Sequence, residues 1–244
     1  MTTTTSLLLP RLLRLGAAMC FVGHGVFGLQ QRGDWVRFYD VVGVGDDVAR
    51  SSIFCIGVMD VLLGVLVLVR PVPALLAWMA LWSLLTCLIR PFSGMSLWEA
   101  IERSANVAVP LALVAAARGR WWDRLGDVDD GVMVRVARVG GGLALIGHGW
   151  LQAFERKASL AEHWRSVGVD DVAGIAGSFE IALGVLVLLP VARLWPVVVV
   201  AAVWKMGTEL MFINVGAQAW EWIERGATYA ALLAVASSSR RMAP

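Results

Sequence analysis

The sequence predicts an all-α integral membrane protein whose eight transmembrane helices form two parallel four-helix repeats. Three observations lead there. Of the 244 residues 58% are hydrophobic and 16% charged, at a mean hydropathy of +0.70, whereas a soluble domain runs roughly 45–50% apolar and about 25% charged. Eight apolar runs approach the ~20 residues that a spanning helix needs. Landmarks of the first half recur in the second in one order, which marks an internal duplication.

The sharpest landmark is a histidine between glycines. Gly23-His24-Gly25 returns 124 positions later as Gly147-His148-Gly149. Val44-Gly45-Asp46-Asp47-Val48-Ala49 is echoed by Gly168-Val169-Asp170-Asp171-Val172-Ala173. The run from Asp60 to Leu68 is echoed by the run from Glu180 to Leu188, and Trp98-Glu99-Ala100-Ile101-Glu102-Arg103 by Trp220-Glu221-Trp222-Ile223-Glu224-Arg225. The repeats occupy residues 1–118 and 136–244, with a connector at 119–135.

In the first repeat the spans fall at roughly Arg11–Gln30, Ser51–Val69, Val72–Ile89 and Trp98–Ala117; in the second, at roughly Val136–Phe154, Val172–Leu189, Leu194–Ile213 and Trp220–Ala236. The opening run Thr2–Ser6, followed by Leu7, has no charged start and leads into the His24 motif, so it reads as part of a helix rather than a signal peptide. Pro71, Pro73, Pro190 and Pro196 place tight turns between spans two and three of each repeat, because proline cannot continue a helix through them. Longer polar connections, 32–50 and 155–171, carry Trp35 and Trp164 at a depth suited to the interface.

An even number of spans per repeat makes both halves enter the membrane from the same side, related by an axis along its normal. Arg11, Arg14, Arg70, Arg118, Arg120, Arg124, Arg135, Arg138, Arg193, Arg240 and Arg241 fall on the side of the termini, largely without acids nearby. By the positive-inside rule both termini are cytoplasmic, in a multi-pass protein of the cell membrane. The net charge of +2, with arginines at the ends of apolar runs, gives no nucleic-acid footprint and leaves membrane lipid as the surrounding partner. Cys20, Cys55 and Cys87 all lie in apolar surroundings of the first repeat and lack redox-motif spacing, so they read as small buried residues, with a Cys55–Cys87 redox pair as the alternative.

Charged groups near the bilayer centre cost at least about 2.5–3.5 kcal/mol each, so those retained face a bundle interior. Asp60 and Glu180 sit near the middle of span two in each repeat; Lys205 sits near the middle of span seven, with Glu209 one turn further. Four such groups amount to roughly 10 kcal/mol, comparable with the stability of a whole domain, so they must be paired, neutral or hydrated. Depth counting brings His24, His148, Glu99, Glu102, Arg103, Glu221, Glu224 and Arg225 into the outer half of the membrane. Glu102 and Asn106 are four apart and share a helix face; Thr228 replaces the asparagine in the second repeat. The expectation is a polar chamber built twice, opening outward.

Imidazole titrates near neutrality and binds metals, so His24 and His148 suit proton transfer beside an acid, or ligation of haem or another metal assembled between helices. Each would equally serve a structural end, satisfied by Asp60 or Glu180. The tryptophan-acid-arginine repeats have a bland reading too, as interfacial tryptophans with an i,i+4 pair such as Glu99–Arg103 at a helix N-terminus. Lys205 and Glu209 are i,i+4 partners whose matching positions Ser83 and Cys87 are neutral, which signals either a specialised second half or a self-neutralising pair.

With His24-Gly25 followed by Val26-Phe27-Gly28-Leu29, and Glu180 followed by Gly184 in a leucine and valine run, each repeat resembles the DoxX-like family of small four-span membrane proteins. His24-Gly25, His148-Gly149, Asp60 and Glu180 match the pattern; the lysine usual three residues after the His-Gly pair is replaced by Gly28 and Gln152, and the serine and aspartate pattern after span four is not recognisable. The resemblance implies membrane redox chemistry with a quinone and a redox protein as partner; the sequence itself leaves the cofactor open, haem on the histidines being the lesser alternative. On that basis His24, His148, Asp60 and Glu180 are the candidate proton-transfer residues of a quinone-linked oxidoreductase component. Glu99, Glu102, Arg103, Asn106, Lys205, Glu209, Glu221, Glu224 and Arg225 are the candidate substrate-binding set, and no metal site is expected. Two other classes fit the same residues. A proton-coupled transporter of a small polar solute would use the Lys205–Glu209 pair and the embedded acids; a non-catalytic assembly subunit would use the twelve tryptophans as anchors.

Overall fold

The computed structural model describes residues 8–242; the Thr2–Ser6 run and the Arg241 side chain lie outside the described residues. The described residues are helical, without a strand. In chain order the helices are α1 (Leu8–Leu29), α2 (Arg37–Asp40), α3 (Asp46–Val69), α4 (Pro73–Phe92), α5 (Leu97–Ile101), α6 (Ser104–Ala116), α7 (Asp130–Ala153), α8 (Ala158–Ser166), α9 (Ala173–Leu188), α10 (Trp195–Asn214), α11 (Ala219–Glu224) and α12 (Gly226–Met242). Four of them are long and apolar enough to cross a membrane: α1, α3, α4 and α10 with the turn before it. Helix α9 is apolar but only 16 residues long.

Differences from the sequence expectation have local causes. Helix α3 begins at Asp46 rather than Ser51, because Asp46 and Asp47 suit the positive N-terminal end of a helix and extend it beyond the apolar run. The expected fourth span of each half is broken, after Ile101 in the first and at Arg225 in the second, so that α5–α6 and α11–α12 are short helix followed by longer helix. Proline opens α4, where its missing N–H costs nothing. The polar connections are not bare loops but carry α2 and α8.

Helices α1, α6, α7 and α12 occupy the centre, with α3 and α4 flanking one side and α9 and α10 the other. Helix α1 packs along α3 as α7 packs along α9, and α4 on α6 as α10 on α12. The central contacts run across the two halves: α1 on α12 and α6 on α7. Their cores are built of small residues, including Ala105, Ala108, Ala112, Ala137, Ala144, Ala227, Ala231 and Ala234, which let apolar helices approach closely where van der Waals packing rather than water exclusion drives association. Outward, Leu62, Leu66, Val69, Leu81, Leu85, Leu88 and Phe92 on α3 and α4 and Val199, Val200, Val203 and Leu210 on α10 are exposed. So broad an apolar outer face belongs against hydrocarbon.

The two halves also clasp each other reciprocally on one end. Arg32 Nη1 donates to Glu221 Oε1 at 2.7 Å, and Lys157 Nζ donates to Glu99 Oε1. Gln30 Nε2 donates to Gln218 Oε1 at 2.9 Å, and Ser96 Oγ to Glu155 Oε1 at 2.6 Å. Glu221 overcomes the burial that would otherwise weaken Arg32, and holds its pKa above that of an ordinary arginine.

Candidate functional site

The glycines around each histidine explain the motif. A Cβ on Gly23 would lie 2.7 Å from the backbone nitrogen of Glu224, and one on Gly147 would strike the backbone nitrogen of Glu102. The second glycine of each motif faces its own half: a Cβ on Gly25 would lie 2.8 Å from Gly57 O, and one on Gly149 would press on Gly177 O. Each histidine is therefore wedged between its own second helix and the break in the fourth helix of the other half. Only glycine permits both approaches at once.

The two histidines then diverge. His148 Nδ1 lies 2.6 Å from Glu180 Oε2; a carboxylate only accepts, so Nδ1 carries the proton. Lys205 Nζ sits 2.6 Å from Glu209 Oε1 and 3.2 Å from Glu180 Oε1, ion pairs without hydrogen-bond angles. His148 Nε2 is 3.6 Å from Glu209 Oε1, and Arg225 Nε is 3.5 Å from Glu209 Oε2. All of these except Arg225 are almost fully buried. Two carboxylates and two cations thus neutralise one another, as two buried charges must.

In the first half the equivalent space is a cavity of about 280 Å³, lined by His24, Asp60, Ser83, Cys87, Arg90 and Asn106 within walls that include Phe21, Trp35, Phe38, Tyr39 and Trp82. Ser83 and Cys87 stand where Lys205 and Glu209 stand in the second half, and their short side chains leave the room that the longer pair fills. Asp60, one methylene shorter than Glu180, makes no bond to His24; its Oδ1 has no partner although the residue is only 5% exposed. His24 Nδ1 turns back to Cys20 O at 3.2 Å, while Nε2 faces Glu224 Oε2 at 3.7 Å. The carbonyl fixes the proton on Nδ1, so Nε2 meets Glu224 as two acceptors unless a proton lies between them.

Beside the cavity lies a second space of about 360 Å³, polar and shared by both halves, which Arg32, Glu99, Glu102, Lys157, Glu221 and Arg225 border. His24, Trp35, Phe38, Arg90 and Arg103 line both spaces and form their common wall. Arg103 Nη1 donates to Glu99 Oε2 at 3.0 Å and Glu102 Oε2 at 2.9 Å. Arg225 reaches Glu102 and Glu224, each at 3.6 Å, and so ties the halves together. A scan against protein-family models, a search of curated proteins and a search of solved structures find no match.

The outcome for the expected site is specific. Instead of a chamber built twice, residues of both halves border one shared polar vestibule; beside it the first half holds the cavity around His24, whereas in the second half Lys205 and Glu209 pack against His148 and Glu180. Glu102 and Asn106 do not share a face of one helix: the break between α5 and α6 sends Glu102 to the vestibule and Asn106 to the cavity. Lys205 and Glu209 form a closed pair with Glu180, not an opening. Trp35 is not a mere interface anchor, since its ring centroid lies 6.0 Å from that of His24. Cys55 is exposed on α3 away from the cavity, whereas Cys20 and Cys87, both buried, line it. Among the described residues no group of three or more His, Cys, Asp or Glu converges as a metal site. Sequence reasoning missed Arg90 and Trp82; the signal for Arg90 was a cation at the end of an apolar span facing Phe212 in the repeat alignment.

Proposed function

We propose that this chain is a DoxX-like integral membrane protein of eight spanning helices in two parallel four-helix repeats, with both termini cytoplasmic, and that it is a quinone-linked oxidoreductase component whose working site is the first half. The observation that carries this reading is the aromatic-walled cavity, in which His24 and Asp60 stand free of one another beside a polar vestibule. The paired packing of α1 with α3 and of α7 with α9 supports the repeat, and the exposed apolar faces of α3, α4 and α10 support residence in a bilayer.

Its dimensions and chemistry suit a flat redox ring. Trp35, Phe38 and Trp82 offer faces for stacking, the Asp60 carboxyl offers an acceptor for a hydroxyl, and Asn106 adds an amide. The cavity is half-enclosed, and α3 and α4, which flank it, scarcely touch, which suits a ligand whose tail remains in the bilayer. A bound quinone would supply the two-electron chemistry. The chain would supply the proton: His24 Nε2 faces Glu224 across 3.7 Å, and both border the vestibule, so a proton held between them has a route to water. The neutralised packing around Lys205 supports a structural role for that pair over a solute path.

The test is quinone reduction in membranes containing the full chain. His24→Ala and Asp60→Asn should each lower it by about 10²-fold or more, the range of a lost general acid or base, while His148→Asn should act through stability instead. Unchanged electron delivery in His24→Ala would refute the assignment.

A further inference from the structure

We propose that the wall between vestibule and cavity holds a binding subsite for a carboxylate or small oxyanion, built on Arg90 and completed by Arg103. This deepens the cavity-and-vestibule reading above, and rests on it, by naming the charge of a second ligand. Arg90 is 8% exposed, in the last turn of α4. Among the described residues no carboxylate lies within 4 Å of it; Arg32, Arg103, Lys157, Lys205 and Arg225 each have one, and Arg138, equally buried without one, donates instead to the carbonyls of Val187 and Leu189 and to the Ser239 hydroxyl. Among the described residues Met95 lies with its sulfur 3.8 Å from Nη1, and the Phe38 ring 5.3 Å from the guanidinium carbon.

Its Nε has no partner, and neither does Arg103 Nε, on the same wall. A buried cation is costly unless an anion pairs with it. The acids nearby are committed elsewhere: Glu99 to Arg103 and Lys157, Glu102 to Arg103 and Arg225. Asp60 lines the same cavity without an ion pair to any cation. The position is also not a duplicated packing feature, because in the second half an uncharged ring, Phe212, occupies it beneath Arg225. A planar guanidinium with free N–H groups matches the two oxygens of a carboxylate or the edge of an oxyanion. Such an anion can come from water through the vestibule, or from an acidic lipid.

The experiment uses the full chain in nanodiscs of neutral phosphatidylcholine, with trifluoroacetate as the soluble probe and its fluorine NMR linewidth as the readout. Saturable broadening is expected in the wild type and in Arg120→Gln, a surface control. Arg90→Gln should weaken it about thirtyfold or more, the loss typical of removing one partner of a buried charge pair, and Arg90→Lys should retain part of it. Nanodiscs doped with oleate separate the sources: loss of the probe signal assigns the subsite to a lipid carboxylate, and persistence to a soluble anion. Absence of saturable broadening in the wild type, or unaltered broadening in Arg90→Gln with Arg90→Lys folded, overturns the proposal. Decylubiquinone titrated into the same samples keeps the two readings apart. Quinone binding without probe binding sinks the subsite alone, and probe binding without quinone binding sinks the quinone reading.

Discussion

His148 and Glu180 form a buried contact of 2.6 Å, Nδ1 to Oε2, that His24 and Asp60 do not form at the matching positions. One methylene and one lysine separate the two outcomes. Glu180 is long enough to reach the imidazole and is braced by Lys205; Asp60 is shorter, and Ser83 offers it no charge. The two histidines therefore sit in different surroundings, His148 closed in by charge and His24 beside a cavity.

This division predicts opposite stability effects at equivalent acids. Glu180→Ala leaves His148 Nδ1 buried without its partner and takes from Lys205 one of its two carboxylates, and should cost about 3–5 kcal/mol. Asp60→Asn removes a carboxyl that pairs with no cation and whose Oδ1 has no partner, and should leave stability unchanged or higher. Reversible unfolding of the full chain in mixed micelles by increasing sodium dodecyl sulfate measures both. Equal losses would contradict the assignment of closed and open halves.

The cavity should close when the first half is given the side chains of the second. Ser83→Lys with Cys87→Glu would place a cation and an acid where the cavity of about 280 Å³ now lies. Decylubiquinone affinity should drop by at least about tenfold, a difference of about 1.4 kcal/mol, with helix content by circular dichroism retained. Undiminished affinity would move the ligand elsewhere.

The histidine motif should be intolerant of any side chain at its glycines. Gly147→Ala would force its methyl into the backbone at Glu102, and Gly23→Ala into that at Glu224. Overpacking of this kind costs about 1–3 kcal/mol, and backbone on the receiving side puts both at the upper end. Gly33→Ala, with open space around it, is the neutral comparison. Thermal unfolding ranks the three.

His163, in α8 outside the spans, is buried against the edge of Phe212, with ring centroids 3.8 Å apart. Burial pushes its pKa down from 6.5 to about 4. Between those values the unfolded chain carries the proton and the folded chain does not. The contribution is thus intact above pH 6.5 and is lost progressively as pH falls toward about 4. Hydrogen exchange of α8 should accelerate across that window, and His163→Asn should flatten the dependence. An unchanged profile in the variant would assign the loosening to another group.

Much of this was legible in the chain itself. The apolar fraction and the length of the runs fixed a helical protein for a membrane, since only a helix satisfies its own backbone there. The duplicated Gly-His-Gly motif and the recurring acids singled out His24, His148, Asp60 and Glu180 before any coordinates, because buried charge is too costly to be idle. Sequence alone was silent on which half is open. Ser83 and Cys87 look like ordinary small residues until α4, packed on α6, is seen to share a cavity with α1 and α3, and Lys205 looks like an active group until Glu180, Glu209 and His148 are seen around it. The break before Arg103, which parts Glu102 from Asn106, and the burial of Arg90 without a carboxylate depend on contacts between residues far apart in the chain. Periodicity reports which face of a helix is apolar; it does not report which side chain from another helix arrives there, and that meeting decides whether a charge is neutralised or left facing a cavity.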